Sequence, residues 1–396
     1  MGLKTASGTT LGGGEPRGRD RVRAMDDEEL MNSVGLILVL EAGLAAPRRN
    51  RVRERLRELG AEVTVIDGGE RTYLEVRGQD LAIRTLNPQH WPGVDRVLPL
   101  TPPYPHAARR SDSDPTRAVA VDVAGVSIGG DQFAVIGGPC AIEDEARTIR
   151  LAEGLRESGC QLFRGGAFKP RTSPYAFQGL EEEGLRILAK VREVTGLPIV
   201  TEVMDSADIP RVAEVADLMQ VGSRNMQNFS LLKKLGAVDK PVLLKRGSTA
   251  TVEEWLLAAE YILSGGNHRV ILCERGIRHV AGSDQVVLDL GAIPELRRRS
   301  HLPILVDPSH GSGATVRVPA LACAAAAAGA DGLLIEVHDD PTSALSDGQQ
   351  ALTLDAFHRT MHQVGAIHRA LQESRRDTPE IEEGVIPGTV TTPGKD

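Results

Sequence analysis

Eight short apolar runs recur along this chain from about residue 119 onward, each followed by a segment of helical or mixed pattern. They read FAVIGGP, QLFRGG, LPIVTEV, LMQVGS, PVLLKRG, RVILCERG, PILVDPSH and GLLIEVH. Strands that alternate with helices in this way pair in parallel, and eight of them close into a barrel. A doubly wound open sheet is the alternative, but no GxGxxG motif lies between the first strand and its helix. We therefore predict a (β/α)8 TIM barrel over residues 119–374.

A smaller α/β pattern precedes the barrel, over residues 34–103. GLILVLE indicates a strand, NRVRERLRELG a helix that ends at Gly60, and AEVTVID and RTYLEVR two further strands; a short helical stretch and DRVLPL follow. The order βαββαβ is that of the ferredoxin-like fold. No constellation of catalytic residue types occurs here, so we expect a regulatory or assembly domain. We expect residues 1–33 to form a flexible leader, 104–118 a linker and 375–396 a flexible tail.

Composition and charge exclude several classes of protein. The net charge of −8 argues against a sequence-independent nucleic-acid surface. No apolar run is long enough to span a membrane, and the N-terminus lacks the apolar core of a signal peptide, so we expect no membrane partner. The four cysteines show no CxxC spacing, which indicates reduced thiols and a cytoplasmic protein.

Positive side chains cluster where the predicted barrel strands end, although the chain is acidic overall. They are Arg164, Lys169, Arg171, Arg224, Lys245, Arg246 and Arg275. The carboxyl ends of barrel strands meet on one face, so these cations indicate a ligand with several negative charges. The string FRGGAFKPRTSP adds the hydroxyl of Thr172 and glycines that let the backbone approach a phosphate. Glu202, at the end of an apolar strand, is a candidate functional carboxylate. This positive charge exceeds what one phosphate requires, so we expect two anionic substrates.

A second group of strand-end residues has the chemistry of metal ligands. Cys140 follows the first strand, His310 follows the seventh, Glu336 lies in the eighth and Asp347 lies in the loop after it. A thiolate, an imidazole and two carboxylates suit Mn²⁺, Fe²⁺, Co²⁺ or Zn²⁺ without selecting among them. Taken singly, each residue also has a structural explanation: a buried cysteine is often a small hydrophobe, and an aspartate before glycine often forms a turn. Their shared place on one barrel face favours a metal site.

At these same residues the chain closely resembles the 3-deoxy-D-arabino-heptulosonate 7-phosphate (DAHP) synthases, in the form that carries an N-terminal ferredoxin-like domain. The matching strings are GPCAIE, FRGGAFKPRTSPYAFQGL, TEVMD, QVGSRNMQNF, PVLLKRG, ILCERGIR, LPILVDPSHG and ALSDGQQAL. They run through the whole barrel, and the small domain matches in size and in the order of its elements. The resemblance implies the first reaction of the shikimate pathway, in which phosphoenolpyruvate, erythrose 4-phosphate and water give DAHP and phosphate.

The resemblance also implies roles for individual residues. It implies a divalent metal ion, with Mn²⁺ favoured, held by Cys140, His310, Glu336 and Asp347. It implies phosphoenolpyruvate held by Arg164, Lys169, Arg224, Lys245 and Arg275, and the phosphate of erythrose 4-phosphate held by Arg171 and Thr172. Lys169 could then protonate or stabilise the developing alkoxide, with Cys140 and His310 contributing to catalysis as ligands. A homotetramer and an aromatic amino-acid effector bound to the small domain are implied as well.

Several alternatives stay open. A related synthase could use arabinose 5-phosphate, although that family usually has a KANRS-like turn where this chain has KPRTS. A paralogue in secondary metabolism would fit the stretch 279–288, which departs from the TRNTLDL-like sequence common in the family. An aldolase could use Lys245 as a Schiff base, which would make a metal site redundant. A metal-free scaffold on a decayed barrel would have no reason to retain every ligand and anchor.

Overall fold

The computed structural model describes residues 34–67, 71–78, 87–99, 102–109, 118–171, 173–278 and 286–377. The chain forms two compact units, Met1–Pro102 and Pro103–Asp396. The predicted leader lies outside the described residues, as do most of the predicted tail, part of the linker and most of the atypical stretch 279–288. No helix in the described ranges is both long and apolar enough to cross a bilayer.

The first unit contains an antiparallel four-stranded sheet. Its elements are β1 (Val34–Leu40), α1 (Ala46–Glu58), β2 (Glu62–Asp67), β3 (Thr72–Gly78) and β4 (Val94–Pro99). The spatial order is β2-β3-β1-β4, with β1 pairing antiparallel to both β3 and β4. This order confirms the predicted ferredoxin-like sheet. The short helical stretch between β3 and β4 contains a 3₁₀ turn at Pro88–His90, and residues 79–86 lie outside the described part.

A small hairpin precedes the barrel. It pairs β5 (Val121–Val123) with β6 (Val126–Ile128) in antiparallel register. Val121, Val123 and Ile128 are buried in one cluster with apolar residues from all eight barrel strands. Apolar side chains of the hairpin therefore contribute to the barrel interior.

Eight parallel strands close into a barrel, as the sequence predicts. They are β7 (Ala134–Gly138), β8 (Leu162–Arg164), β9 (Ile199–Glu202), β10 (Leu218–Val221), β11 (Val242–Lys245), β12 (Val270–Glu274), β15 (Ile304–Val306) and β16 (Gly332–Glu336). Between β12 and β15, a short ribbon pairs β13 (Ile277–Arg278) with β14 (Val286–Val287). Every residue of the eight barrel strands is buried, which explains why each strand is a continuous apolar run rather than an alternating one.

Helices follow the strands of the barrel. They are α2 (Glu145–Glu157), α3 (Glu181–Thr195), α4 (Ile209–Val215), α5 (Phe229–Leu235), α6 (Val252–Leu263), α7 (Ala292–Arg299), α8 (Pro308–Ser312), α9 (Val318–Ala327) and α10 (Leu354–Asp377). Local sequence sets their ends: α6 begins with a capping box between Thr251 and Glu254, and α3 ends at Gly196 in the left-handed conformation. Trp255 on α6 is fully buried and donates a hydrogen bond to Leu244 O at 3.1 Å, which fixes α6 on β11.

One glycine matters for the site that follows. Gly138, the last residue of β7, has φ +152°. A Cβ at this position would lie 1.9 Å from Arg164 O on the neighbouring strand. Only glycine lets the two strands come this close, and the next residues of the chain carry Cys140 to the barrel face.

Candidate active site at the carboxyl ends of the barrel strands

An open cavity of about 830 Å³ lies among the loops that follow the barrel strands. Its lining includes Arg164, Lys169, Arg171, Glu202, Arg224, Lys245, Arg275, Arg278, His310 and Asp347. These residues come from the ends of seven barrel strands and the segments that follow them, which are far apart in the sequence. The barrel therefore brings together six of the seven cations singled out from the sequence, which gives this end of an acidic protein a positive cavity.

Arg246 is the exception and corrects the prediction that it belongs to this group. Its Nη1 donates to Glu274 Oε2 at 2.8 Å and to Asp289 Oδ2 at 2.9 Å, and its Nε donates to Ala250 O. Successive side chains on an extended strand point to opposite sides. Lys245 therefore faces the cavity, whereas Arg246 ties β11 to the end of β12 and to the segment before α7.

Three of the four predicted metal ligands form a compact group. The ligand atoms of Cys140, Glu336 and Asp347 all lie within 4.8 Å of one another. Cys140 Sγ lies 2.9 Å from Asp347 Oδ2 and 3.2 Å from Ser346 Oγ. The fourth, His310, is adjacent: its Nε2 lies 3.5 Å from Glu336 Oε1. The four residues thus converge at one side of the cavity.

A buried carboxylate orients His310. Asp307 caps the N-terminus of α8, where its Oδ1 accepts a hydrogen bond from His310 N at 2.9 Å. Its Oδ2 lies 2.7 Å from His310 Nδ1 and 2.6 Å from Lys245 Nζ. Burial alone would raise the pKa of Asp307, but the charges of His310 and Lys245 hold that pKa well below its usual value. With Nδ1 engaged by this carboxylate, Nε2 is the nitrogen that faces Glu336.

Glu336 is fully buried, and polar groups besides His310 hold it in place. It accepts from Arg164 Nη1 at 2.7 Å and from Gln350 Nε2 at 2.7 Å, and its backbone N–H donates to Ser309 Oγ. Burial alone would raise its pKa, but His310 and Arg164 lower the pKa of Glu336 to about 2. The carboxyl group is therefore an ionised ligand at neutral pH.

Burial has the opposite consequence for the thiol. It raises the pKa of Cys140 to about 12, with a further contribution from the negative charge of Glu336. A thiol in this state binds a metal only if the metal displaces its proton. A divalent cation among three anionic ligands and an imidazole would supply that driving force, so the donor set fits a borderline divalent ion.

The predicted anion-binding turn lies beside this group. Lys169 Nζ donates to Cys140 O at 2.9 Å, and Arg171 Nη1 donates to Ser346 Oγ at 2.6 Å. Both acceptors are uncharged oxygens, so these two bonds leave the positive charges available to a ligand. Arg224 Nη1 donates to Pro170 O at 2.5 Å and joins the turn to the loop after β10. Thr172, predicted to bind phosphate, lies outside the described residues.

Two further predicted residues line the cavity. Glu202 ends β9 and contacts Gln220 Nε2 at 3.4 Å through its Oε2. Its Oε1 lies where a Cβ on Gly222 would be, 2.0 Å away, so glycine is needed there to make room for the carboxylate. Arg275 follows β12 and has no hydrogen bond or ion pair with other side chains in the described ranges.

Sequence reasoning missed several polar residues of the cavity. They are Gln220, Ser248, Arg278 and Gln350, and Ser346, beside Cys140, was missed as well. Most of them lie within strings that carried the resemblance, such as ILCERGIR and ALSDGQQAL, so proximity to assigned residues was an available signal. Arg278 lies on β13, outside the barrel strands, and its place at the cavity depends on the pairing of β13 with β14.

Comparison with known proteins agrees with this geometry. A model of the DAHP synthetase I family matches residues 112–373. The phospho-2-dehydro-3-deoxyheptonate aldolase of Thermotoga maritima is 41% identical over 336 residues, which cover 85% of this chain and 98% of that protein. The 2-dehydro-3-deoxyphosphooctonate aldolase of Syntrophobacter fumaroxidans is 35% identical over 271 residues, which cover 64% and 93%.

Solved structures give the same result. The crystal structure of the Thermotoga maritima DAHP synthase superposes with a TM-score of 0.74 at 40% identity, covering 85% of this chain and 98% of that one. A truncated form of the Thermotoga maritima synthase superposes with a TM-score of 0.62 at 42% identity, covering 68% and 97%. With the family model matching most of the barrel and a relative of this identity aligned over almost its whole length, the chain belongs to the DAHP synthetase I family.

Proposed function

We propose that this chain condenses phosphoenolpyruvate with erythrose 4-phosphate and water to give DAHP and inorganic phosphate, in the cytoplasm. One observation carries the proposal: a single cavity places Lys169, Arg171 and other cations beside the ligand atoms of Cys140, Glu336 and Asp347. Two phosphorylated substrates repel each other, and a cavity with this charge offsets the repulsion and orients them.

The length of the sequence match favours the heptulosonate product over the octulosonate one. The heptonate relative aligns over 336 residues, more than residues 103–396 contain, so its match extends into the first unit. The octonate relative aligns over only 271 residues. The KPRTS turn, with Arg171 directed to the cavity, adds support for the shorter aldose phosphate.

The deeper part of the cavity would hold phosphoenolpyruvate. Arg164, Lys169, Lys245, Arg224 and Arg275 are its proposed anchors. Arg164 and Lys245 are buried and each is already paired with one carboxylate. The Nε of Arg164 is buried and has no hydrogen-bond partner among the described residues, so a ligand oxygen would satisfy it. Arginine and lysine together suit a ligand that carries both a phosphate and a carboxylate.

The KPRTS turn would hold the phosphate of erythrose 4-phosphate. Among the described residues, the side chain that contacts the Arg171 guanidinium is Ser346, through its neutral hydroxyl. We assign Thr172 to the same phosphate on the basis of the family resemblance, and Ser173 lines the cavity next to it. Glu202 on the opposite side would contact a substrate hydroxyl or the attacking water.

Cys140, His310, Glu336 and Asp347 would hold a divalent metal ion, for which Mn²⁺ is our first choice. The bound ion would supply Lewis acidity at the aldehyde oxygen of erythrose 4-phosphate. The donor set accommodates Fe²⁺, Co²⁺ or Zn²⁺ as well. Asp307 keeps His310 in the tautomer that presents Nε2, and Gln350 and Arg164 fix the two oxygens of Glu336.

The side chains then control the charge changes of the reaction. C3 of phosphoenolpyruvate attacks the aldehyde carbon, and the new C–C bond forms while Lys169 donates a proton to the aldehyde oxygen. The oxygen of water adds at C2, and one proton of this water replaces the proton that Lys169 donated. The bond between C2 and the phosphate oxygen then breaks, and the second proton leaves with the phosphate, which gives the ketone. The cations that held the phosphate stabilise it as it leaves, because its negative charge is already paired.

Release of inorganic phosphate from phosphoenolpyruvate tests the reaction. We expect release with erythrose 4-phosphate to be much faster than with arabinose 5-phosphate, to stop in EDTA and to return with Mn²⁺. Faster turnover with arabinose 5-phosphate would instead assign the octulosonate reaction. Full activity in EDTA, together with a covalent adduct at Lys245 after borohydride treatment, would replace the metal route by a Schiff base.

A crossed pair of variants tests the assignment of the two subsites. Arg171→Ala should raise KM for erythrose 4-phosphate by roughly tenfold or more and change KM for phosphoenolpyruvate little. Arg275→Ala should do the reverse. Both side chains line the same cavity, so each variant serves as the matched control for the other. Equal effects of both variants on both substrates would contradict separate subsites.

We also propose, from the family resemblance, a homotetramer and an aromatic amino-acid effector that binds the first unit. The separate first unit with its ferredoxin-like sheet, which this form of the family carries, supports the effector site. Light scattering of the full chain tests the assembly state, and the effect of phenylalanine and tyrosine on the initial rate tests the effector.

A further inference from the structure

We propose that Glu143 is a positioning residue: it holds the loop after β16 so that Asp347 meets Cys140. The inference rests on the proposed function, in which Cys140 and Asp347 are metal ligands. Glu143 follows Cys140 by three residues, and it hydrogen-bonds a residue two positions before Asp347. One side chain thus joins the two ligand-bearing segments, which lie about two hundred residues apart in the chain.

The carboxylate of Glu143 uses both of its oxygens. Oε1 accepts a hydrogen bond from Leu345 N at 2.8 Å. Oε2 accepts from Arg147 Nη1 at 3.3 Å and lies 3.4 Å from His338 Nε2. The side chain is 7% exposed, and His338 is buried as well. Leu345 itself is exposed, so this bond constrains the loop by tying its backbone to a carboxylate that is buried and held by other partners, rather than by excluding water.

Arg147 extends the same attachment along the loop. Its Nε donates to Asp339 Oδ2 at 3.0 Å and its Nη2 donates to Ser343 Oγ at 3.0 Å. Arg147 is in the first turn of α2, where its own N–H donates to the N-cap residue Asp144. The loop is therefore attached to a capped helix end rather than to another loop.

The second half of the loop is attached independently. Gln350 Nε2 donates to Glu336 Oε2 at 2.7 Å, and Thr315 Oγ1 donates to Gln349 O at 2.7 Å. Asp347 lies between these contacts and the bond at Leu345, and it has φ +52°. Aspartate tolerates this left-handed conformation better than most residues, so fixed neighbours can hold it there. Arg171 and Cys140 contact the Ser346 hydroxyl, and Glu143 fixes the backbone one residue earlier, at Leu345.

Two substitutions test whether the length of the Glu143 side chain or its negative charge matters. Glu143→Gln keeps the length of the side chain and an oxygen for Leu345 N, but removes the charge. Glu143→Asp keeps the charge but withdraws the oxygens by one methylene. If the bond to Leu345 N positions Asp347, Glu143→Gln should bind Mn²⁺ within about threefold of the parent protein, whereas Glu143→Asp should bind it roughly 10- to 100-fold more weakly.

Mn²⁺ affinity is measured by titration of the metal-free full chain, with free Mn²⁺ followed by electron paramagnetic resonance. Phosphoenolpyruvate affinity is measured on the same samples without metal. It should not change, because Glu143 is not among the proposed anchors of this substrate. Glu145→Ala is the matched control: this acidic residue lies two positions after Glu143, at the start of α2, pairs with Arg186 at the surface and should leave both affinities unchanged. Thermal melting of each variant verifies that it is folded.

Asp347→Ala, measured alongside, distinguishes this inference from the proposed function. If Asp347→Ala binds Mn²⁺ as tightly as the parent protein, the metal assignment itself is wrong. If Asp347→Ala loses Mn²⁺ but Glu143→Asp does not, only the positioning role of Glu143 is overturned. Retention of Mn²⁺ by Glu143→Asp with loss in Glu143→Gln would also overturn it, because charge rather than reach would then matter.

Discussion

Lys245 Nζ lies 2.6 Å from Asp307 Oδ2, and both side chains are buried. The same oxygen lies 2.7 Å from His310 Nδ1. One carboxylate therefore contacts a proposed phosphoenolpyruvate anchor and a proposed metal ligand. Leaving one member of a buried ion pair uncompensated commonly costs about 3–5 kcal/mol. The two subsites share this electrostatic element, and a change at Asp307 should affect both.

We expect Asp307→Asn to weaken binding of phosphoenolpyruvate and of Mn²⁺ together, each by about tenfold or more, and to lower the melting temperature. The asparagine cannot balance the charge of Lys245, and it no longer fixes the ring of His310 by a charged hydrogen bond. Titrations of the metal-free protein with each ligand provide the check. Asp239→Asn, at an exposed carboxylate, is the control for the same chemical change. A loss confined to one ligand would show that Asp307 serves only that subsite.

Acid should destabilise the fold in a defined window because of Glu336. Its folded pKa of about 2 lies below the ordinary value of 4.5. A carboxyl group with a depressed pKa stabilises the fold fully above its unfolded pKa and loses that contribution as pH falls through the folded pKa. The ionised group should therefore contribute about 3 kcal/mol above pH 4.5, and this contribution should disappear between about pH 4.5 and pH 2.

Urea midpoints measured across that window provide the test. Glu336→Gln should be less stable than the parent protein at pH 7, because Arg164 loses its buried partner. It should also lose less stability between pH 4.5 and pH 2.5, since the titrating group is absent. Identical pH dependence in both proteins would show that Glu336 does not govern acid sensitivity.

Glu260 on α6 should hold the chain segment that leads into the barrel. Its carboxylate accepts hydrogen bonds from His106 N at 3.1 Å and Ala107 N at 2.9 Å, and it lies 2.6 Å from His106 Nδ1. We expect Glu260→Ala to accelerate hydrogen exchange of the His106 and Ala107 amides by about tenfold or more, because both lose their acceptor. Glu253→Ala, at an exposed position of the same helix, should leave that exchange unchanged. Unaltered protection in Glu260→Ala would mean that other contacts hold the segment.

Deletion of residues 1–100 should preserve condensation activity within about threefold, because the barrel forms a compact unit of its own and contains every proposed site residue. We expect phenylalanine or tyrosine to inhibit the full chain, and we expect the deletion to abolish that inhibition. Initial rates of phosphate release with and without each amino acid decide the matter. Inhibition of equal strength in the truncated protein would place the effector site on the barrel.

The sequence predicts the barrel well because its strands are buried on both faces. A run such as PVLLKRG must be apolar until it reaches the end of the strand, where polar residues become tolerable, so the pattern marks both the strand and its functional end. Cys140, Glu336 and Asp347 could be grouped for the same reason, since each follows or ends a strand.

The pattern of apolar residues does not predict which way each side chain points at the end of a strand. Lys245 and Arg246 are neighbours with the same charge, yet the first lines the cavity and the second forms ion pairs outside it. Loop residues are harder still: Ser346 lies beside Cys140 because the loop after β16 meets the segment after β7, about two hundred residues away in the sequence. The sequence around such a residue does not predict the contact, because the contact depends on segments that are distant along the chain.

The hairpin of β5 and β6 gives the barrel an inside that is packed with Val121, Val123 and Ile128. Molecules therefore cannot pass through the barrel interior. Substrates must enter, and products must leave, at the end of the barrel where the cavity opens. If phosphoenolpyruvate binds next to the buried Arg164 and Lys245, as we propose, we expect it to bind before erythrose 4-phosphate covers it.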